Sequence, residues 1–259
     1  MSRILLLAIA VVVIVLIGGI IYYFTAAQPP KKEILIVGTS PDFPPFEYID
    51  EEGNVVGFDI DLIRLLAKKA GYKDIEIVTM DFDSLIPALT QGKIDVIAAG
   101  MTITEERKKV VDFTDPYWEA DQAILVKKDG GFMPSSVDDL DGKTVGVQTG
   151  TTGADYIKNY AKEHGLNIII KEYTSFVLAV QDLVAGRIDA VIVDSPVAKM
   201  FEQKYPVKIA VIIKTGEVYG FAVRKGDTEL LQALNKALQE VKNSPEWNEL
   251  IEKYFGTTK

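Results

Sequence analysis

Arg107 occupies a position at which a positive charge needs a partner. It follows Thr104, a residue type favoured at helix N-caps, and so lies in the first turn of a short predicted helix. A cation there opposes the helix dipole by about 0.3 to 1 kcal/mol, so another interaction should favour it. Two interactions are open: a bidentate carboxylate ligand, or a surface ion pair with Glu105, Glu106 or Asp112.

Asp194 ends a predicted buried strand at residues 188–193 and stands directly before Ser195 and Pro196. A carboxylate at such a place can cap the following helix by accepting a hydrogen bond from its first N–H groups. It can equally serve as the counter-ion of a bound ammonium group. The sequence leaves both interpretations open.

A glycine-containing turn, residues 148–153, connects a predicted strand to a predicted helix. Its backbone N–H groups, with the hydroxyls of Thr151 and Thr152, would face an anion at the helix start. No Gly-Lys-Ser/Thr follows, and the three spaced glycines of a dinucleotide site are missing. The turn therefore fits a small carboxylate better than a phosphate chain.

Two aromatic residues stand just after predicted strands. Phe43 and Phe82 lie in connections at the carboxyl edge of the strands, where open α/β sheets bind ligands. An aromatic side chain there is expected to face a ligand rather than the core.

The elements that position these residues alternate between short apolar runs and amphipathic stretches, which predicts an α/β fold. Most predicted strands are β-branched and unalternating, as in buried parallel sheets. The predicted strands are residues 34–38, 75–80, 94–100, 122–128, 144–148, 167–173, 188–194, 208–213 and 219–224. The predicted helices, mostly with Asp or Ser starts and Gly stops, are residues 60–70, 84–91, 152–163, 176–185, 196–205, 228–241 and 245–255.

An internal repeat indicates two lobes. Residues 88–97 reappear as residues 182–191, each reading as a helix end, a glycine stop and a buried strand. Chance is the alternative, because this turn chemistry is common. The loop at residues 129–136 is the natural place for the second lobe to begin.

Composition excludes several classes of protein. The 259 residues include no cysteine and one histidine, His164, so disulfides, thiol nucleophiles, a lipobox anchor and histidine metal clusters are excluded. Twenty-eight basic and 37 acidic residues give a net charge of −9, which disfavours nucleic-acid binding. We expect no metal and no cofactor.

Residues 4–24 form an uncharged apolar run of 21 residues, long enough as a helix to cross a bilayer. The run is longer than the core of most cleaved signal peptides, which favours an uncleaved membrane anchor. Residues 25–27 keep cleavage possible, and a buried soluble helix is a third interpretation. Residues 28–32, with two prolines, read as a stiff tether.

From Lys32 to Gly256 the sequence resembles a known family: the polar amino-acid-binding proteins of ABC importers, the type 3 bacterial extracellular solute-binding proteins. Six segments carry the resemblance in combination. They are Pro44-Pro45-Phe46-Glu47-Tyr48, residues 57–62, residues 80–82 with 85–89, residues 100–107, residues 112–117, and Lys253-Tyr254-Phe255-Gly256.

The resemblance implies a type II periplasmic-binding-protein-like clamp, in which each lobe is a sheet flanked by helices and the chain crosses twice between lobes. It implies that lobe 1 comprises residues 33–121 and 218–259, that lobe 2 comprises residues 122–217, and that residues 1–32 precede them. The implied partners are a free amino acid and an ABC permease, outside the cytoplasm, with residues 4–24 as the membrane contact. We expect a monomer.

Ligand contacts carry over position by position. Arg107 resembles the clamp for the ligand α-carboxylate, helped by the N–H groups of Thr102 and Thr152. Asp194, the Gly100 carbonyl and the Thr102 hydroxyl would accept hydrogen bonds from the α-ammonium group. The ligand side chain would lie between Phe43 and Phe82, and the candidates for its far end are Gln148, Ser40 and Trp118.

One departure bears on specificity. Many members that bind basic amino acids or glutamine have an acidic residue where this chain has Ser40. Asp42, Glu47, Glu119 or Asp121 could replace it. We rank arginine or glutamine first, other polar or basic amino acids next and acidic ones last.

The alternative function is a dehydratase-like enzyme on the same fold. Such an enzyme would need a further acid or base in its pocket. The candidates, Glu47 and Glu119, are expected to be ordinary surface residues, so we expect no enzymatic activity.

Overall fold

The computed structural model of the protein describes residues 33–256. The predicted membrane segment, residues 4–24, lies outside this range. Within residues 33–256, no helix combines the length and the apolar character that a membrane crossing requires.

The first sheet has five strands in the order β5-β1-β6-β13-β7. Strands β5 and β6 pair parallel to β1, while β13 runs antiparallel to both β6 and β7. The strands are β1 (Ile34–Thr39), β5 (Asp74–Thr79), β6 (Val96–Ile97), β7 (Val111–Phe113) and β13 (Ala222–Arg224).

The second sheet also has five strands, in the order β10-β9-β11-β8-β12. Strands β10 and β11 pair parallel to β9, and β8 lies antiparallel between β11 and β12. The strands are β8 (Trp118–Lys127), β9 (Thr144–Gln148), β10 (Ile169–Tyr173), β11 (Ala190–Asp194) and β12 (Val207–Tyr219).

A small antiparallel sheet of β2 (Asp42–Phe43), β3 (Glu47–Ile49) and β4 (Val55–Val56) follows β1. The sequence analysis did not predict these strands or β7, because each has only two or three residues and offers no periodicity to read. The predicted strand at residues 94–100 is also shorter than expected. Its last residue, Gly100, donates its N–H to the Asp59 carboxylate, 2.9 Å away, instead of pairing in the sheet.

Eight α-helices flank the sheets within the described chain. Their buried apolar faces drive packing, and side-chain caps fix several of their starts: Asp227, Thr151 and Ser175 each accept a hydrogen bond from an N–H group in the first turn. The helices are α1 (Phe58–Lys69), α2 (Leu85–Thr90), α3 (Glu105–Lys108), α4 (Thr152–His164), α5 (Phe176–Val184), α6 (Ser195–Lys204), α7 (Thr228–Lys242) and α8 (Pro245–Phe255).

The internal repeat corresponds to two equivalent units, one in each five-stranded sheet. Gly92 and Gly186 both have φ of 71°, a left-handed conformation that ends α2 and α5. Asp95 and Asp189 then accept a hydrogen bond from a backbone N–H of a neighbouring strand, at 3.1 and 2.8 Å. The two sheets therefore share a helix–turn–strand unit, as the sequence predicts.

Strands β8 and β12 carry the chain between the two sheets, and we call them the hinge strands. They pair along their length, from Val207 with Lys127 to Tyr219 with Trp118. Beyond them the chain continues into the first sheet on both sides, through β13 and back through β7. The predicted lobe boundaries, 121/122 and 217/218, fall inside these two strands and stay a prediction.

An aromatic cluster ties the last helix to the hinge. The Trp118 ring stacks on Phe255 with a centroid distance of 4.1 Å, and Phe255 also packs against Phe46 and Phe58 at 5.6 and 5.4 Å. Such stacked and edge contacts add to the free energy of burying the rings.

We expect Phe255→Ala to lower the free energy of unfolding by about 2 kcal/mol, because it removes a ring from this cluster and leaves a cavity. Chemical denaturation monitored by circular dichroism measures the change. Leu178→Ala, at a side chain that is 48% exposed, is the control and should cost under about 0.5 kcal/mol. Equal effects of the two substitutions would contradict this role of Phe255.

Candidate ligand-binding site

A cavity of about 20 Å³ lies where the loops of the two five-stranded sheets meet. Nine of the ten residues predicted from the sequence line it. They are Ser40, Phe43, Phe82, Gly100, Thr102, Arg107, Gln148, Thr152 and Asp194.

Trp118, the tenth predicted residue, does not line this cavity. Its ring is held by the stack on Phe255, and it lies 5.4 Å from the Phe46 ring, centroid to centroid. Packing turns the indole into the aromatic cluster, and the contact of Trp118 with the far end of a ligand stays a prediction.

The Arg107 guanidinium bridges both sides of the cavity. Nη1 donates to the Thr102 carbonyl at 2.8 Å, and Nη2 donates to the Gly150 carbonyl at 3.0 Å. The guanidinium also lies 5.4 Å from the centroid of the Phe82 ring. Burial lowers the pKa of Arg107, and the negative charges of Glu217 and Asp194 oppose that shift.

The alternative of a surface ion pair at Arg107 does not match the geometry. Glu105 and Glu106 pair with Lys108 and Lys109, and Asp112 pairs with Lys225. Within residues 33–256, no carboxylate lies within 4.0 Å of the guanidinium. Its charge is thus available to a ligand in the cavity.

Asp194 lies at the end of β11 with 5% of its surface exposed. Its carboxylate accepts hydrogen bonds from Gln122 Nε2 at 2.9 Å and from the Tyr219 hydroxyl at 2.5 Å. It makes no capping hydrogen bond to α6, so the N-cap interpretation is wrong. Burial, reinforced by the nearby Glu217, raises the pKa of Asp194 to about 7.

Gly100 brings its backbone close to the Phe43 ring. Its φ is +49°, and a Cβ at this position would lie 2.5 Å from Phe43 Cε1. The buried Asp59 holds Gly100 in place, because its Oδ2 accepts hydrogen bonds from the Gly100 N–H and from the Tyr117 hydroxyl at 2.9 and 2.6 Å. Burial raises the pKa of Asp59 to about 7 against these two hydrogen bonds.

The aromatic walls include one residue that the sequence analysis missed. Phe43 and Phe82 line the cavity as predicted, and Phe176 lines it too, with its ring 5.6 Å from that of Phe43. Phe176 opens α5 directly after its cap, Ser175. An aromatic residue in the first turn of an amphipathic helix is typical of a core position, so no sequence pattern indicates that Phe176 lines a cavity.

Asp42 and Gln148 connect the two sides of the cavity at another wall. Asp42 Oδ2 accepts hydrogen bonds from the Phe176 N–H at 2.7 Å and from Gln148 Nε2 at 3.0 Å. Ser40 Oγ lies 3.5 Å from Asp42 Oδ1. Burial raises the pKa of Asp42 above its ordinary value, while these hydrogen bonds act against the shift.

Glu47 is the least satisfied polar group in the cavity wall. Only 1% of the residue is exposed, and Oε2 has no hydrogen-bond partner. Burial and then the charges of Asp59, Asp42 and Asp194 raise its pKa well above the ordinary value. The expectation that Glu47 is a surface residue is wrong, because the β2–β4 sheet turns its side chain inward.

The other two proposed substitutes for an acidic residue at position 40 do not line the cavity. Glu119 is exposed on β8. Asp121 accepts hydrogen bonds from Lys214 Nζ and from the N–H groups of Thr215 and Gly216 at 2.7, 3.0 and 3.1 Å. It therefore stabilises the bulge of β12 instead.

Glu217 is a functional candidate that the sequence analysis did not identify. It lies on β12 after the bulge, and its Oε2 accepts hydrogen bonds from the hydroxyls of Thr102 and Thr152, each at 2.7 Å. Its Oε1 accepts a hydrogen bond from Gln122 Nε2 at 3.1 Å. It stands behind the two threonines that line the cavity.

The cavity wall carries three carboxyl groups, those of Asp42, Glu47 and Asp194, and the single cation of Arg107. Charges taken out of water need partners of opposite sign. Such a wall suits a ligand with one anionic group and more than one cationic group. In the described part of the chain, no group of three His, Asp or Glu side chains is placed to hold a metal ion.

Two helix-flanked sheets with a cavity at their hinge define the class: an α/β binding protein with a type II clamp fold. The chain belongs to the bacterial extracellular solute-binding proteins, family 3, whose family model matches residues 35–257. The resemblance seen in the sequence is thus confirmed, and membership supports an extracytoplasmic location.

Three similar proteins illustrate the relationship. An arginine-binding extracellular protein of Bacillus subtilis is 41% identical over 85% of this chain and 86% of its own length. A probable histidine-binding protein of Neisseria gonorrhoeae is 39% identical over 85% of this chain and 82% of its own. The structure of an ancestral arginine-binding protein bound to arginine superposes with a TM-score of 0.82, at 51% identity, over 87% of this chain and 99% of the other.

Proposed function

We propose that this protein captures L-arginine outside the cytoplasm and delivers it to an ABC permease. The observation that carries this proposal is the unpartnered Oε2 of Glu47 in the same cavity as Arg107 and Asp194. Arginine has three charged groups, and each would meet a residue of opposite charge.

The α-carboxylate and α-ammonium groups of the ligand meet residues of opposite charge. Arg107 takes the α-carboxylate through its guanidinium, and the N–H groups of Thr102 and Thr152 assist it. Asp194, the Gly100 carbonyl and the Thr102 hydroxyl accept hydrogen bonds from the α-ammonium group. Opposite charges in one small cavity support this assignment, because neither would be favourable there without a partner.

The ligand side chain runs between Phe43 and Phe82, and its guanidinium meets Glu47 and Asp42. Aromatic faces attract a planar cation, and a carboxylate can bind a guanidinium in a bidentate manner. Glu47 thus takes the place of the acidic residue that Ser40 replaces. Ser40 and Gln148 complete the far wall.

The names of the relatives support arginine and leave histidine as a competitor. Both are binding proteins, which supports binding over the dehydratase-like alternative. Glutamine has the same zwitterion without a distal charge. It would leave the Glu47 carboxylate unpaired, so we now rank it below arginine.

Capture would proceed by closure of the two lobes around the ligand, as in other clamp-type proteins. Contacts across the cavity support this step: Arg107 donates to Gly150, and Asp42 accepts from Phe176. The closed shape is then available to a permease. Residues 4–24 would tether the protein to the membrane beside it.

The first test is a melting-temperature screen of residues 31–259 with each of the twenty L-amino acids in excess. A ligand that binds only the folded state stabilises it by RT ln(1 + [L]/Kd). We expect the largest shift with arginine. No shift with any amino acid would contradict the proposal.

The second test isolates the distal contact. We expect Glu47→Gln to weaken arginine binding at least about tenfold, because it removes the buried counter-charge, while glutamine binding weakens by less than about threefold. Isothermal titration calorimetry measures both constants. Glu119→Gln, the same change at an exposed glutamate outside the cavity, is the control. If Glu47→Gln bound arginine as tightly as the wild type does, Glu47 would not hold the guanidinium.

A further inference from the structure

Glu217 makes an unusual set of contacts for a residue outside the cavity wall. One oxygen, Oε2, accepts hydrogen bonds from two hydroxyls on opposite sides of the cavity, those of Thr102 and Thr152. The other oxygen, Oε1, accepts from Gln122 Nε2. The glutamate thus reaches three polar side chains around one end of the cavity.

The hydrogen bonds to Glu217 determine which way the two threonine hydroxyls point. A threonine hydroxyl has one proton to donate and two lone pairs to accept with. At 2.7 Å the bonds to Glu217 are short, charge-assisted bonds, whereas the two threonine oxygens lie 3.4 Å from each other. Each hydroxyl therefore donates its hydrogen bond to Glu217. Toward the cavity it can act only as a hydrogen-bond acceptor.

The Gln122 amide also donates both of its N–H groups to carboxylates. Its Nε2 has two protons, one for Asp194 Oδ1 at 2.9 Å and one for Glu217 Oε1 at 3.1 Å. The two carboxylates thereby fix the orientation of the amide. Asp194 is in turn held by the Tyr219 hydroxyl. The hydroxyls of Thr102, Thr152 and Tyr219 and the amide of Gln122 are thus all committed to protein carboxylates.

We propose that Glu217 is a positioning residue that makes this end of the cavity specific for a hydrogen-bond donor, the α-ammonium group of the ligand. It acts through the Thr102 and Thr152 hydroxyls, which it turns into obligatory acceptors beside Asp194. This inference rests on the proposed function, because it needs an amino-acid ligand.

The conservative variant Glu217→Gln tests the mechanism. The amide NH₂ group of glutamine donates, so one threonine must accept from it and is free to turn its own proton toward the cavity. A donor in the cavity then meets a competing donor. We expect the affinity for L-arginine to fall at least about tenfold.

The ligand comparison separates positioning from a general structural role. Delta-guanidinovaleric acid keeps the carboxylate and guanidinium of arginine but lacks the α-ammonium group. We expect Glu217→Gln to change its affinity by less than about threefold. Calorimetry with both ligands measures the two effects, and melting temperatures check that the variant is folded. Equal losses for both ligands would overturn the inference.

A double substitution tests whether Glu217 acts through the hydroxyls. In a Thr102→Val, Thr152→Val background the hydroxyls are gone, so adding Glu217→Gln should weaken arginine binding by less than about threefold further. A full tenfold loss in that background would mean that Glu217 attracts the ammonium directly, which overturns the inference. Glu119→Gln, which removes a charge from the adjacent hinge strand, is the control for net charge.

Failure of the proposed function has a different signature. If the wild-type protein does not bind arginine, both proposals fall on that measurement alone. If the wild type binds arginine and the variant discriminates the two ligands as well as the wild type does, only the role of Glu217 falls.

Discussion

Arg107→Ala is expected to weaken arginine binding by at least about a hundredfold while the protein stays folded. Removing one partner of a buried charge pair typically costs about 2 to 5 kcal/mol, since the other charge is left without a partner. The fold should tolerate the change, because the two hydrogen bonds of the side chain end on the backbone carbonyls of Thr102 and Gly150.

Two further variants define the role of Arg107. Arg107→Lys keeps the charge but loses the forked geometry, so it should fall between the wild type and Arg107→Ala. Arg64→Ala removes an arginine that pairs with Asp74 at the surface and should leave binding unchanged. Calorimetric affinities and melting temperatures measure all three. Tight binding by the folded Arg107→Ala protein would refute the carboxylate assignment.

The affinity for arginine is expected to rise about a hundredfold between pH 5 and pH 7.5. Asp194 has a pKa of about 7 in the ligand-free cavity, so it is mostly protonated at pH 5. The α-ammonium group requires the ionised carboxylate. Binding therefore displaces a proton below pH 7, and each pH unit is worth up to a factor of ten.

The surroundings of Asp194 support the direction of this effect. Burial and the charge of Glu217 raise its pKa, while Tyr219, Gln122 and Arg107 lower it by a smaller amount. A bound ammonium adds a further stabilising charge, which moves the pKa down in the complex. The free energy of binding thus becomes more favourable with rising pH.

Binding is expected to move the pKa of Glu47 in the same direction as that of Asp194. Its pKa is raised by burial and by Asp59, Asp42 and Asp194, and a bound guanidinium would lower it. The only histidine of the chain, His164, ends α4 with its ring stacked on Tyr160, and it does not line the cavity. Titration of the cavity between pH 5 and 7.5 would therefore arise from carboxyl groups.

Calorimetry in buffers of different ionisation enthalpy measures the released protons directly. We expect close to one proton or more per arginine at pH 6. Asp194→Asn should bind more weakly and lose most of the pH dependence. An affinity that stays constant from pH 5 to 7.5 in the wild type would contradict the assignment of Asp194.

The fold could be predicted where the sequence is periodic. Buried strands such as Thr144–Gln148 and amphipathic helices such as Pro245–Phe255 agree with their predicted bounds. The repeat of Asp95 at Asp189 predicted the matching units correctly. Strands of two or three residues escaped prediction, because tertiary packing rather than local pattern creates them.

The cavity could be predicted in part. Arg107 was identifiable because a cation in the first turn of a helix is unfavourable without a partner, and Asp194 because it ends a buried strand. Glu217 gave no such signal, since a glutamate on a half-exposed strand looks ordinary. Its position depends on the register shift between Ile213 and Glu217, which no sequence pattern specifies.

The paired hinge strands β8 and β12 also limit how the two halves can move. Because the strands are hydrogen-bonded to each other from Trp118 to Lys127, sliding or independent twisting would break the ladder between them. Bending at the bulge, where Asp121 accepts hydrogen bonds from the N–H groups of Thr215 and Gly216, would leave the hydrogen bonds between the two strands intact. In the proposed mechanism, closure would then be a rotation about a single axis, shared by every ligand. Changes in hinge stiffness should rescale all affinities by a common factor, whereas the order of preference among amino acids is set by the cavity wall alone.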